Sequence, residues 1–304
     1  MDKIDKILLQ QIADLHKIPS GAFNIRKNGQ VLSRNSTKEI EIIPKKDGSG
    51  INIKIAPNTK GKSVHIPVIV TIGNFSDTVC NDFYIGENSD VTIIAGCGID
   101  NPTCNSSQHS GIHSFYLKPN SHVRYVEKHY GQGEGKKILN PVTNLFLDEN
   151  SFMEMETLQI EGVDSSIRNT NAKLKQNAKL IVKENLLTAK DQKVKTNFKI
   201  TLAGKNSSAD IVSHSVAKDS SSQKFVSNMI GKTECFGHVE CDGILLDDAK
   251  IISVPKISAL SKDSSLVHEA AIGKIAGDEL IKLMTLGLSE EDAEKTIIEG
   301  FLMG

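Results

Sequence analysis

The sequence predicts a mainly β protein that winds into a solenoid, with a short helix at its start and two helices at its end. Runs of alternating polar and apolar residues, such as 51–56 and 65–72, are typical of strands. Aromatic residues make up only 5% of the chain and tryptophan is absent, which favours a core of stacked Val, Ile and Leu. The most informative pattern is a recurring asparagine, followed each time by a small residue and a strand-like run.

These asparagines are separated by steps of 32, 30, 27 and 29 residues: Asn88, Asn120, Asn150, Asn177 and Asn206. A period of about 30 residues is typical of stacked repeats. Asparagine tolerates the left-handed backbone conformation and suits a repeated corner. We therefore expect the asparagines to lie above one another, with the strand residues that follow them stacking into a continuous core. An irregular antiparallel β protein is the alternative.

Residues 1–60 are predicted to form a helix and lead-in strands, and residues 61–265 the solenoid. The helix has one apolar face, and Pro19 and Gly21 are expected to end it; the face consists of Ile4, Leu8, Ile12 and Leu15.

Residues 266–304 are predicted to form a helical hairpin. Gly287 lies at the expected end of its first helix, and Ser289 with Asp292 resembles a capping box for the second. Each helix has an apolar stripe: Ile272, Ala276, Leu280, Leu283 and Met284 on the first, and Ala293, Ile297, Ile298 and Phe301 on the second. The hairpin either caps the last coil or presents a groove to a partner.

Charge and cysteine content exclude several classes of protein. Lys plus Arg is 36 and Asp plus Glu is 37, so no global charge favours nucleic acid or an anionic membrane. Five cysteines are too few for a disulfide scaffold. Asp2, Asp5 and Asp14 interrupt any secretory apolar core, and no apolar run approaches the roughly 18 residues of a membrane span. We expect a soluble protein of the reducing cytoplasm.

Two cysteines and two histidines lie within the stretch 95–113, as Cys97, Cys104, His109 and His113. Thiolate and imidazole bind zinc or the iron of iron–sulfur clusters. The spacing fits no zinc-finger class, but the Gly, Pro and Asn residues between them predict a bent loop that projects from the solenoid. We predict a metal site here; a polar loop with incidental Cys and His is the alternative.

Two further groups are weaker candidates. Cys235 and Cys241 are expected on one face of a strand and His238 on the other, so a shared site is not predicted and the cysteines are expected to be buried. His129 stands out among the remaining histidines because Glu127 lies on its face of the strand.

The segments 264–302 and 111–135 resemble the SufB/SufD family, the scaffold proteins of iron–sulfur cluster assembly. The matching C-terminal residues are His268, Glu269, Ala270, Lys274, Ile275, Gly287, Leu288, Ser289, Glu290, Glu291, Gly300 and Phe301. The resemblance implies a right-handed parallel β-helix and a transient iron–sulfur cluster. It also implies a SufC-like ABC ATPase on the C-terminal helices and a homodimer formed through the terminal strands. No phosphate-binding loop is present, since "GEGKK" lacks the required spacing, so ATP hydrolysis is expected from the partner.

The resemblance also implies cluster ligands near the subunit interface, at His268 and Glu269. Longer SufB proteins have a cysteine on a late strand, some twenty to thirty residues before this His-Glu pair. Residues 242–267 of this chain contain no cysteine. Either the cluster is held by Cys97 and Cys104, or Cys235 or Cys241 replaces the missing thiol. An interface hydrogen bond for His268 and a helix N-terminal charge for Glu269 are the structural alternatives.

Two other functions fit a β-helix: a carbohydrate-active enzyme, or an adaptor without metal chemistry. The first needs aromatic residues for sugar stacking, which are scarce here, and we therefore favour the non-enzymatic scaffold.

Overall fold

A computed structural model describes residues 2–303 and confirms the predicted fold class. The chain forms a parallel β-solenoid of about 8 turns, in which successive strands alternate between two facing sheets. In spatial order, sheet 1 contains β2 (Gln30–Asn35), β1 (Ala22–Lys27), β5 (Lys60–Val70), β7 (Asp90–Asp100), β9 (His122–Gln132), β12 (Phe152–Glu161), β14 (Lys179–Thr188), β16 (Ser207–Ala217), β18 (Cys235–Leu245) and β20 (Ser264–Gly273).

Sheet 2 covers the other side of the core. In spatial order it contains β3 (Ile40–Pro44), β4 (Gly50–Ile55), β6 (Phe75–Ile85), β8 (Ser107–Leu117), the broken strand β10 (Lys137–Leu139) and β11 (Val142–Leu147), then β13 (Ser165–Leu174), β15 (Lys193–Leu202), β17 (Ser222–Gly231) and β19 (Lys250–Ala259). Apolar side chains of alternate residues fill the space between the sheets, including stacked Phe83 and Phe115 with ring centroids 4.3 Å apart.

The predicted asparagine corners stack on one another. All five have positive φ, between 52° and 58°. Asn58, one coil earlier, also has positive φ, at 62°. The side-chain amide of Asn88 donates to Asn58 Oδ1 (3.3 Å), and that of Asn206 donates to Asn177 Oδ1 (3.2 Å). Each corner thus combines a left-handed backbone with a hydrogen bond along the stack, which explains why asparagine recurs there.

The two ends of the solenoid differ. At the N-terminal end, β1–β2 and β3–β4 are antiparallel hairpins, and Pro44 lies in the edge strand β3. At the C-terminal end, β19 and β20 have no further coil upon them among the described residues. Ile257 and Ile272 point inward by register, opposite Met229 and Gly243, yet their side chains are 44% and 37% exposed. The apolar core is therefore open at this end.

The N-terminal helix α1 (Lys3–Ala13) lies on the outer face of sheet 1, where Leu8 and Ile12 are buried. It is shorter than predicted, because Asp14 adopts a left-handed conformation and its N–H bonds to carbonyls of the last turn. A Cβ at Gly96 would lie 2.5 Å from the Ile12 carbonyl oxygen, so glycine allows the helix to approach β7.

The C-terminal helices are α2 (Gly277–Thr285) and α3 (Glu290–Met303). The prediction that the first helix includes Ile272 and Ala276 is wrong: β20 continues to Gly273 because β18 supplies hydrogen-bonding partners along its length. Ser289 Oγ accepts the Asp292 N–H (3.1 Å), which confirms the predicted cap.

The hairpin packs on the side of the solenoid rather than over its last coil. Ile298 and Leu302 of α3 are buried against Val216 of β16, whereas α2 has no buried residue. Exposed apolar side chains of α2 and the following turn include Ile281 (58%) and Leu286 (81%). None of the helices in the described part of the chain has the length and apolarity needed to cross a bilayer.

Candidate functional site

The stretch 95–113 is mostly strand, which corrects the predicted projecting loop. Strand β7 continues to Asp100 and β8 begins at Ser107, so only residues 101–106 form the loop. Cys97 lies on β7 and points into the solenoid; His109 and His113 lie on β8 and point inward from the opposite sheet. Cys104 lies in the loop and is exposed.

The inward-pointing side chains surround a small cavity of about 20 Å³ between the two sheets. Its polar lining consists of Cys97, His109, His113, Glu127 and His129. A volume of this size holds about one water molecule. The structure therefore brings together three of the four predicted metal ligands and adds Glu127 and His129, but it leaves Cys104 outside.

Gly111 provides the space in which two imidazoles meet. A Cβ built on this glycine would lie 3.2 Å from His113 Nε2 and 3.7 Å from His109 Nε2, so both nitrogens border the volume that glycine leaves free. The other nitrogen of His113 lies 2.8 Å from the Tyr125 hydroxyl, which fixes the ring. Burial lowers the pKa of His113 to about 4, so its imidazole is neutral near pH 7, as a metal ligand must be.

His129 is held by an arginine from the opposite sheet. Arg168 Nη1 donates to His129 Nδ1 at 2.8 Å, and because arginine can only donate, His129 is neutral with its proton on Nε2. That Nε2 lies 3.7 Å from Glu127 Oε1. Burial likewise lowers the pKa of His129. His129 is thus already engaged. His109 Nε2 and His113 Nε2 border the cavity, and His113 Nε2 also lies 3.4 Å from the side-chain amide nitrogen of Asn81, a contact that a bound metal would replace.

Arg168 faces two buried carboxylates. Its Nη2 lies 3.5 Å from Glu127 Oε2 and its Nε lies 3.4 Å from Glu184 Oε1, and all three side chains are at most 4% exposed. Burial opposes ionisation of Glu127, but His129 and Arg168 hold its pKa well below the ordinary value. One guanidinium faces two carboxyl groups, and burial raises the pKa of Glu184 despite Arg168. A cation nearby would favour ionisation of both carboxyl groups.

Cys97 lies beside His129 in the register of β7 and β9 and is 2% exposed. Burial, together with Glu127 and Asp77, raises the pKa of the Cys97 thiol well above its ordinary value. The sulfur therefore remains protonated until a cation takes the place of its proton. A thiol, two imidazoles and a nearby carboxylate form a donor set suited to iron or zinc.

His268 and Glu269 lie far from this cavity. From β7 to β20 there are six strand steps across sheet 1, or roughly 29 Å at ~4.8 Å per step. His268 points inward at the open end, and no described residue bonds to its Nε2. Glu269 points outward, 3.7 Å from His238 Nε2, and lies within a strand rather than at a helix N-terminus. One protomer cannot bring Cys97, His268 and Glu269 to a single cluster.

The late cysteines have the expected orientation. Cys235 and Cys241 are buried on the inward face of β18, and His238 lies on the outer face with its Nδ1 2.8 Å from Asp210. Cys241 pairs in register with Ala270 of β20, and burial raises its pKa to about 11. It is one strand from the open end, near His268.

Sequence reasoning identified Glu127 and His129 as a pair but missed Arg168 and Glu184. A signal for Glu184 was present: Leu180 and Val182 are apolar at alternate positions of β14, and the same alternation continues to Glu184. A charged residue at an inward position of a strand is costly unless it is paired, so it indicates a buried polar site.

The family profile described as "SUF system FeS cluster assembly, SufBD core domain" matches residues 80–301, most of the chain. The chain is 31% identical over 219 residues to an iron–sulfur cluster assembly SufBD family protein of Methanothermobacter thermautotrophicus, covering 71% of this chain and 53% of that protein. A protein of the same description from Pyrococcus horikoshii is 27% identical over 281 residues, covering 90% and 84%. One from Archaeoglobus fulgidus is 26% identical over 280 residues, covering 90% and 73%.

The chain thus spans about half the length of the Methanothermobacter relative, and most of the Pyrococcus one. The profile match includes the cavity, the open end of the solenoid and nearly all of α3. The chain therefore belongs to the SufBD family of iron–sulfur cluster assembly proteins.

Proposed function

We propose that this chain is a non-enzymatic scaffold that holds iron and sulfide of a nascent iron–sulfur cluster as cargo. The observation that supports it is the convergence of Cys97, His109 and His113 on one small cavity, near the buried carboxyl groups of Glu127 and Glu184. The donor types match those that bind iron. The free state of all five cysteines is compatible with the reducing cytoplasm, which we propose as its location.

The cavity as it stands has room for one iron ion or one sulfur atom, because its volume is about 20 Å³. A complete cluster requires the strands to separate, or ligands gathered elsewhere. The exposed thiol of Cys104, or Cys241 with His268 at the open end, would supply such ligands, whereas Glu269 points to the other face of β20. We therefore propose the cavity as the first holding site.

Anaerobic reconstitution with ferrous iron and sulfide tests this proposal. We expect cluster absorbance in the unaltered protein and at least ~10-fold less in Cys97→Ser. Cys80→Ser is the matched control, since Cys80 lies on β6 outside the cavity lining. Equal spectra for Cys97→Ser and Cys80→Ser would refute the cavity as holding site. Cys104→Ser, measured alongside, separates a contribution of the loop from that of the cavity.

We further propose that a SufC-like ABC ATPase docks on α2. Helix α2 contacts α3 but has no buried residue, and Ile281 in the helix and Leu286 just after it are exposed. Ile281→Asp should abolish co-purification with such an ATPase, whereas Ile167→Asp should not, because Ile167 is similarly exposed (46%) but lies on the outer face of β13. Retention of the ATPase by Ile281→Asp would rule out this surface.

A homodimer through the open end is the third part of the proposal. A second copy would cover Ile257 and Ile272 and give His268 Nε2 a partner. Ile257→Lys should yield a monomer in analytical ultracentrifugation. Ile252→Lys is the control, because Ile252 lies on the same strand, is 51% exposed and points outward. A dimer that persists in Ile257→Lys would contradict this arrangement.

A further inference from the structure

A second group of metal-ligating side chains lies outside the solenoid, on the outer face of sheet 1. Glu240 and Asp242 are two residues apart on β18 and therefore point to the same side. His214 on β16 is the register partner of Asp242. One donor atom from each of the three side chains lies within 4.8 Å of the others, and all three residues are half-buried.

Neighbouring groups hold two of these side chains in place. The ring of Phe301 packs against the ring of His214, with centroids 4.9 Å apart. Phe301 is itself positioned by α3, whose Ile298 and Leu302 are buried against the solenoid. Asp242 Oδ1 accepts the backbone N–H of Ala271 at 3.1 Å, which leaves its other oxygen available. Fixed imidazole and carboxylate groups of this kind reduce the entropy lost on binding an ion.

The carboxylates of Glu240 and Asp242 lie close enough to repel each other when both are charged. They project from the same face of β18, two residues apart, and His214 faces them from β16. The nearby His238 is directed to other carboxylates, since its Nδ1 lies 2.8 Å from Asp210 and its Nε2 lies 3.7 Å from Glu269. A divalent cation between Glu240 and Asp242 would remove the repulsion.

We propose that His214, Glu240 and Asp242 bind a divalent first-row transition-metal ion beside α3. One imidazole and two carboxylates suit Fe²⁺, Mn²⁺ or Zn²⁺, and three protein ligands leave positions for water. The site contains no thiol and is separate from the cavity that contains Cys97. Metal binding by His214, Glu240 and Asp242 does not depend on whether the cavity holds iron or sulfide.

Binding is measured on the full chain with Mn²⁺, a hard ion that avoids thiolate sites. The free Mn²⁺ signal in electron paramagnetic resonance gives the stoichiometry, and we expect one saturable site per chain. Because the sequence has no tryptophan, Phe301→Trp introduces a single fluorescent reporter next to His214. Paramagnetic Mn²⁺ should quench it along the same binding curve.

Glu240→Gln and Asp242→Asn keep the shape of each side chain and, for Asp242, the acceptor for the Ala271 N–H. Each should weaken Mn²⁺ binding by at least ~10-fold. Glu154→Gln should leave it unchanged, since Glu154 lies beside His122 on the same face of sheet 1 but on β12, two strands from β16 and three from β18. Circular dichroism checks that each variant is folded.

Three results would overturn the proposal. One is the absence of a saturable Mn²⁺ site in the unaltered protein, which needs no variant. Another is Mn²⁺ binding without quenching of the reporter. The third is unchanged affinity in folded Glu240→Gln and Asp242→Asn.

Discussion

Removing Arg168 should be among the most destabilising single substitutions in this protein. Arg168→Met keeps a side chain of similar length but leaves Glu127 and Glu184 without their guanidinium, at distances of 3.5 and 3.4 Å in the intact protein. These side chains are at most 4% exposed, so water cannot replace the lost partner. Breaking a buried ion pair in this way costs about 3–5 kcal/mol in the free energy of unfolding.

Arg124→Met is the matched control. Arg124 lies 3.3 Å from Glu156, but the two side chains are 57% and 41% exposed, so its loss should cost about 0–1 kcal/mol. Urea unfolding followed by circular dichroism compares the two variants. Hydrogen exchange of the amides of β9 and β13 shows whether the loss is local, since coils of a solenoid unfold partly independently. Equal stability of the two variants would refute the reasoning.

The pH dependence gives a second check on the same substitution. The depressed pKa of Glu127 stabilises the intact protein above pH 4.5, the ordinary value for glutamate, and this contribution is lost as pH falls. In Arg168→Met, Glu127 keeps His129 and Glu184 keeps its hydrogen bonds from Thr196 and Ser213. The guanidinium no longer offsets burial, however, so the neutral forms of both carboxyls are favoured more than in the intact protein. The stability difference between the two proteins should therefore shrink as the solution is acidified below about pH 5.

Three further outcomes are expected. Asn177→Ala should lower the free energy of unfolding by about 2 kcal/mol, because alanine disfavours the left-handed conformation and the hydrogen bonds to Asn150 and Asn206 are lost. Asn177→Gly loses only the hydrogen bonds and should cost less. Equal costs of the two variants in urea unfolding would contradict this. Gly96→Ala should displace α1 from β7 and make it sensitive to limited proteolysis, because the new Cβ would lie 2.5 Å from the Ile12 carbonyl oxygen. Gly273→Ala should not, because no atom lies within 4 Å of a Cβ at that position. The pKa of His113 is about 4 in the folded protein, against the ordinary value of 6.5. The free energy of unfolding should therefore fall by roughly 3 kcal/mol between pH 6.5 and pH 4. In His113→Asn, the urea midpoint should lack this contribution to its pH dependence.

The coil repeat was predictable because each coil must turn a corner, and asparagine is well suited to do so. The same spacing also predicts partners within one sheet. The step of 32 residues from Asn88 to Asn120 equals the step from Cys97 to His129, which pair in register. Asn58 has the same conformation but was missed.

Contacts between the sheets were not predictable in this way. Arg168 contacts His129 across the core. This contact depends on the offset between the two sheets along the strand direction, which cannot be read from the spacing of the repeats. Linear proximity was also misleading: Cys104 is close to His109 in sequence but lies outside the cavity. The residues near Glu269 have helical character, yet the free edge of β18 made them a strand.

The unequal ends of the solenoid would limit how far copies of this chain associate if the proposed homodimer forms. Among the described residues, antiparallel hairpins lie at one end and the core is open at the other. Two open ends paired across a twofold axis would cover each other and leave neither end for a third copy. The proposed arrangement would therefore give a closed pair rather than the fibre that exposed strand edges favour.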